Sequence, residues 1–175
     1  MLNVVYVLAE AECQIIALGM ENGDIEDSQL SASTSFDMIS VGPQNARRQT
    51  IDVDRWTLDV YKLLQVNFEQ IYVITGIETQ GRYGNGTGRE YTTHYTIEYL
   101  RLNSSWIKYH NEELIEIFNG NDDTSTAVRQ NFIPPIIASK IRIIPYSNYA
   151  RTMCLRVEFY GCIYNGLVFC FYLFF

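Results

Sequence analysis

Two histidines, four cysteines, one glycine-rich stretch and two Asn-X-Ser/Thr triplets are the residues of this chain whose types and spacing invite a chemical reading. His94 lies inside an alternating apolar and polar run and His110 at the end of another. Neither has a cysteine or carboxylate at metal-ligand spacing, so both read as surface or cavity-wall residues and no metal is expected. The stretch Gly81 to Arg89 has the glycine density of a phosphate loop but lacks the Gly-Lys-Ser/Thr ending and leads into a strand. A phosphate loop must open a helix whose N-terminus faces the anion, so a long hairpin loop is the better reading. No nucleophile elbow or zinc-protease helix motif occurs. The chain therefore reads as a non-enzyme without a cofactor.

Cys13, Cys154, Cys162 and Cys170 contain no C-x-x-C, which argues against zinc and thioredoxin-like chemistry and leaves three full pairings open. If the chain is secreted, Cys13 and Cys162 are well placed to clamp the termini, closing a loop for which the chain-entropy account gives roughly 4–5 kcal/mol. Cys154 and Cys170 are then left over. Cys154 falls on the face of its strand turned from the core, where an exposed thiol is reactive. Asn85-Gly86-Thr87 and Asn103-Ser104-Ser105 fit the glycosylation triplet, both in expected loops, and mildly support secretion.

These residues must be positioned by strands. At 175 residues one core is expected, and 13 Tyr and 9 Phe suit strands better than helices. Alternation is clearest from Met153 to Tyr160, where Met153, Leu155, Val157 and Phe159 share one face and Cys154, Arg156 and Glu158 the other, which predicts a half-buried strand. Shorter runs at 63–68, 71–77, 94–100, 106–109 and 140–146 are separated by Asn, Gly, Ser and Pro turn chemistry, and 112–118 is read as a further strand. Many short strands with irregular loops predict an antiparallel sandwich or barrel. The formal charge of -7 gives no overall field for nucleic acid or an anionic bilayer. At the ends, 3–8 followed by Ala9-Glu10-Ala11 has the shape of a signal end without its basic region, so a truncated leader over 1–12 and a plain first strand both stand. Residues 163–175 read as a divergent apolar tail whose run 167–175 is far short of the roughly 20 residues of a spanning helix.

Three blocks, 78–84, 134–145 and 154–162, resemble in order and spacing the discoidin (coagulation factor 5/8 type C) domain. The loop closing on Arg89-Glu90-Tyr91, the run 42–47 and a cysteine eight residues before the last family cysteine are most similar to the N-terminal domain of discoidin domain receptors. The resemblance runs from Cys13 to about Val168. It implies an all-β, eight-stranded antiparallel sandwich or jelly-roll barrel of the galactose-binding-like type over 13–162, with Cys13 and Cys162 joining its termini. It further implies an extracellular module that binds the collagen triple helix, belonging to a receptor whose transmembrane and kinase portions lie outside this chain and which can form homodimers.

Carried over position by position, Phe36 matches an aromatic of the first binding loop, Ser40 a nearby hydroxyl, Arg82 and Glu90 an ion pair flanking the glycine-rich loop, and Thr152 a polar residue before the last strand. A trench with an aromatic floor and polar edges suits a triple helix that exposes imino rings and carbonyls. Plainer readings stand beside these: Phe36 as a core residue at a loop base, Ser40 and Thr152 as turn residues, Arg82 with Glu90 as an exposed pair that only pins the loop, and Arg47-Arg48 as a solvated basic pair or a rim contact. One departure is plain. The family's Trp-Cys-Pro element, whose cysteine pairs with the position of Cys154, has no counterpart in 49–60, where no cysteine occurs. Two other ligand classes fit the same family: a phosphatidylserine membrane, with Phe36, Met38 and Ile39 as inserting tips, and carbohydrate, with Tyr83 for stacking.

Overall fold

The structure is a computed structural model that describes residues 13–33, 42–47, 57–58 (as backbone), 63–82, 90–102, 104–147 and 153–166. Among the described residues ten strands form: β1 (Ile16–Ala17), β2 (Leu30–Ala32), β3 (Thr57–Leu58), β4 (Leu64–Gln80), β5 (His94–Leu100), β6 (Ile107–Lys108), β7 (Phe118–Asn119), β8 (Val128–Tyr146), β9 (Met153–Cys154) and β10 (Arg156–Ile163). Eight belong to one sheet, ordered β1-β10-β4-β8-β5-β6, with β2 also on β4 and β7 on β5; β3 and β9 make a separate pair. Every ladder is antiparallel. The architecture is the all-β one that the alternation predicts.

The runs expected at 63–68 and 71–77 are one strand, β4, and the run at 140–146 is the second half of β8. Register shifts between Asn67 and Tyr72 and between Ile74 and Gly76 explain the difference. A bulge bends a strand without ending it, so residues that look like turn chemistry can sit inside a continuous ladder. Bending lets β4 send Leu64 and Val66, then Ile74 and Ile77, into one core with Ile97, Ile136, Ile141, Ile143 and Phe159. Tyr95, Phe118, Tyr109 and Phe132 fill one part of that core, with ring centroids 5.1–6.3 Å apart. Burial pushes the Tyr95 hydroxyl well above the usual tyrosine range and raises that of Tyr109 to about 12.

The Met153 to Tyr160 segment corrects its expectation twice. Leu155 interrupts it, dividing β9 from β10, and both faces are buried, with Cys154, Arg156 and Glu158 as enclosed as their apolar neighbours. β10 is flanked by β1 and β4, and the loop after β1 covers its second face, where the Glu158 carboxylate accepts hydrogen bonds from the backbone N–H groups of Met20 (3.1 Å), Glu21 (2.8 Å) and Phe159 (2.9 Å). The Cys154 thiol is therefore not an exposed one. Of the strand expected at 112–118, only Phe118 is in a strand. Residues 111–115 instead form a turn around Asn111, whose Oδ1 accepts from the backbone N–H groups of Glu113 (3.0 Å) and Ile115 (2.8 Å). Arg47 is not a solvated residue either: it donates to Met20 O (3.1 Å) and to Asp27 Oδ1 (2.6 Å).

Candidate functional site

The candidate site begins where β4 ends. Gly81 follows Gln80 in a space that admits no side chain: an added Cβ would lie 2.7 Å from Tyr91 Cβ and 2.9 Å from Thr124 Cα. The connection it starts is not a hairpin, because β4 and β5 do not pair; β8 lies between them. The neck of this crossover is closed by the Arg82 backbone N–H donating to Glu90 O at 2.9 Å. Above it the Arg82 guanidinium and the Glu90 carboxylate approach to 4.0 Å, each side chain about one third exposed. A pair so exposed contributes at most about 1 kcal/mol to stability, so its value is positional: two opposite charges held at a rim.

The rim is rigid because buried polar groups tie three segments together. Arg156, opposite Gln80 in the ladder and 4% exposed, donates from Nε to Gly81 O (2.7 Å) and from Nη2 to Thr124 O (3.3 Å). Asn121 donates through Nδ2 to Thr79 O (2.9 Å) and Thr126 O (2.8 Å), and its backbone N–H donates to Thr92 O (2.8 Å). The Thr92 hydroxyl donates to Cys154 O at 3.0 Å, joining the neck to β9. Within the 120–126 turn the Asp123 carboxylate accepts from the Thr126 hydroxyl (2.5 Å) and from the backbone N–H groups of Thr126 (2.6 Å) and Ser125 (2.8 Å). The Thr126 hydroxyl bond and then these backbone bonds hold that carboxyl below the usual carboxylate range.

Of the residues singled out from sequence, Arg82 and Glu90 come together, and Cys13 and Cys162 form a disulfide with Cα atoms 5.6 Å apart. Phe36, Ser40 and Thr152, the sequon residues Asn85 and Asn103, and the alternative contact residues Met38, Ile39 and Tyr83 lie outside the described residues. Thr57 pairs with Cys154 and Leu58 with Met153, so the segment expected to lack a second staple is joined to β9 through its backbone. Sequence reasoning missed Gly81, Asn121 and above all Arg156. A charged residue in a period-two run reads as solvent-facing, and nothing local announces that two loops will close over it. No helix among the described residues is long and apolar enough to cross a membrane, and those residues hold no cluster of potential metal ligands.

The sequence profile of the F5/8 type C domain matches residues 29–159 of this antiparallel β fold. The chain belongs to the F5/8 type C (discoidin) domain family. Among curated proteins it is 48% identical over 165 residues to discoidin domain-containing receptor A of Caenorhabditis elegans, covering 90% of this chain and 22% of that receptor. It is 32% identical over 166 residues to human epithelial discoidin domain-containing receptor 1, covering 90% of this chain and 18% of the receptor. The chain thus spans only about a fifth of the length of these relatives. Wild-type discoidin II of Dictyostelium discoideum superposes with a TM-score of 0.62 at 26% identity, over 75% of this chain and 53% of that one. The family 32 carbohydrate-binding module of Clostridium perfringens NanJ, in complex with galactose, gives 0.60 at 17% identity over 83% and 98% of the two chains, a likeness of fold alone.

Proposed function

We propose that this chain is the extracellular collagen-recognition module of a discoidin domain receptor-like cell-surface protein, with 13–162 as the domain and any membrane anchor and kinase in other parts of a longer product. The observation that carries the reading is the Arg82–Glu90 pair standing at the neck of the glycine-rich crossover, one third exposed on a rim that Arg156 and Asn121 hold from below. A collagen triple helix offers imino rings, occasional large apolar side chains and unpaired carbonyls. Arg82 supplies donors for such carbonyls and Glu90 fixes the guanidinium. The family resemblance assigns the apolar floor to Phe36 and the edges to Ser40 and Thr152, all outside the described residues. The disulfide fits an oxidising, extracellular setting.

The experiment is binding of the oxidised domain to immobilised triple-helical collagen. Glu90→Ala and Phe36→Ala should each weaken binding by about tenfold or more, the range of an anchor residue, while leaving thermal unfolding unchanged. Unchanged binding in both variants removes the site assignment. Sedimentation with phosphatidylserine vesicles and a glycan array separate the two other ligand classes; retention there with none on collagen overturns the collagen reading.

A further inference from the structure

The connection between β5 and β6 holds a chemistry that ligand recognition at the rim does not use. Asn103-Ser104-Ser105 is an acceptor triplet for N-linked oligosaccharide, with Ser105 supplying the required hydroxyl. On the described residues to either side, the Ser104 backbone N–H donates to Arg101 O at 3.2 Å, and the Arg101 N–H donates back to Ser104 Oγ at 3.1 Å. The ends of a four-residue turn are thereby fastened, and only Leu102 and Asn103 lie between them in the chain. Arg101, Leu102, Ser104 and Ser105 are all exposed, Leu102 by 67%. A surface turn fastened by its own bonds can carry a bulky substituent without disturbing the strands it joins.

Two further observations point to a sugar there. Trp106 closes the connection, and its ring carries the Arg142 guanidinium on one face, 3.6 Å from the centroid, while remaining partly exposed. A ring braced by a cation offers an apolar surface to the C–H faces of the first sugar units, and Leu102 adds to it. The Cys13–Cys162 disulfide matches the oxidising compartment in which such oligosaccharides are attached. β5 runs to Leu100 from His94, two residues past the Thr92 that ties the neck, so its seven extended residues set the turn about 20 Å from that neck. We infer that Asn103 is an N-glycosylation site whose oligosaccharide stands at the end of β5 away from the Arg82–Glu90 rim and leaves that rim open. Transfer forms a bond from Asn103 Nδ2 to C1 of the oligosaccharide, breaks the bond from C1 to the pyrophosphate of its lipid carrier, and releases one amide proton. The site is independent of the collagen reading.

The test uses the full chain with Asn85→Gln, so that one triplet remains, labelled with ¹⁵N in yeast, directed into the secretory pathway by a cleavable leader and recovered from medium or microsomes. Its intact mass should exceed that of the polypeptide by one oligosaccharide, mapped to the peptide that holds Asn103. Ser105→Ala, which keeps the asparagine and the Ser104 bonds, should remove the oligosaccharide, and Ser105→Thr should restore it. A peptide N-glycanase should release it from the folded, oxidised protein without denaturant. Release should shift the amide signals of Arg101, Leu102, Ser104 and Trp106 and leave those of Arg82 and Glu90 in place. A bare polypeptide mass, an oligosaccharide that survives Ser105→Ala, release only after unfolding, or shifts that reach Arg82 and Glu90 would each overturn the proposal.

Discussion

At its Arg156 end β10 is tied to neighbouring loops by hydrogen bonds from a buried cation to two backbone carbonyls, whereas at its Cys162 end the tie is a covalent bond to Cys13. The first arrangement needs close contact of Gly81, Tyr91 and Thr124 and leaves no space between them. The second adds one covalent bond to the ladder pairing of Gly161, Cys162 and Ile163 with β4 and leaves a cleft beside it. A hydrogen-bonded closure thus fixes loop shape, while a covalent closure fixes only the chain ends. That difference places the rigid rim at one end of the domain and the open pocket at the other.

Breaking the covalent end should have the largest effect on stability. Replacing Cys13 and Cys162 together by Ser removes a link across 149 residues and should cost about 2–5 kcal/mol in denaturant unfolding; a loss under about 1 kcal/mol would mean that the strand ladders alone set the ends. Arg156→Met tests the other closure. It removes the buried donors to Gly81 O and Thr124 O and should cost about 2–3 kcal/mol while speeding hydrogen exchange at the Arg82 amide. Unchanged exchange there would detach the rim from β10.

Glu158→Gln probes the middle of the strand. The carboxylate serves three backbone N–H groups, and the neutral amide keeps one acceptor oxygen, so a loss of about 1–3 kcal/mol is expected, with the loop at Met20 and Glu21 loosened first. A variant as stable as the parent would show that the loop packs without this anchor. The smallest effect is in acid. The Asp123 carboxyl is held below its ordinary value when folded, so its contribution is present above the unfolded pKa and fades as pH falls through the lower folded one. Asp123→Asn should therefore narrow the stability difference between neutral and acid solution slightly, as measured by unfolding on both sides of that window; an unchanged difference would show that the turn does not depend on the charge.

The strand content, the antiparallel class and His94 to Leu100 were legible because period-two alternation reports a face of a sheet directly. Arg156 and Glu158 were not, since alternation records which way a residue points and not whether a distant loop returns to cover it. The same limit hid the continuity of β4 and β8, where bulges carry residues that mimic turns. Arg82 and Glu90 were found through family resemblance. Their closeness depends on Gly81, whose requirement becomes visible only when Tyr91 and Thr124 are packed against it. Cys154 was mislocated for the reason that applies to Arg156: its outward face is inside the protein.

The most direct test of the recognition reading compares the oxidised domain on immobilised native collagen and on the same collagen after heat has separated its strands. The account predicts saturable binding to the native triple helix, little to the heated chains, and a marked loss with Glu90→Ala. Equal binding to both forms, or none to the native one, would contradict it.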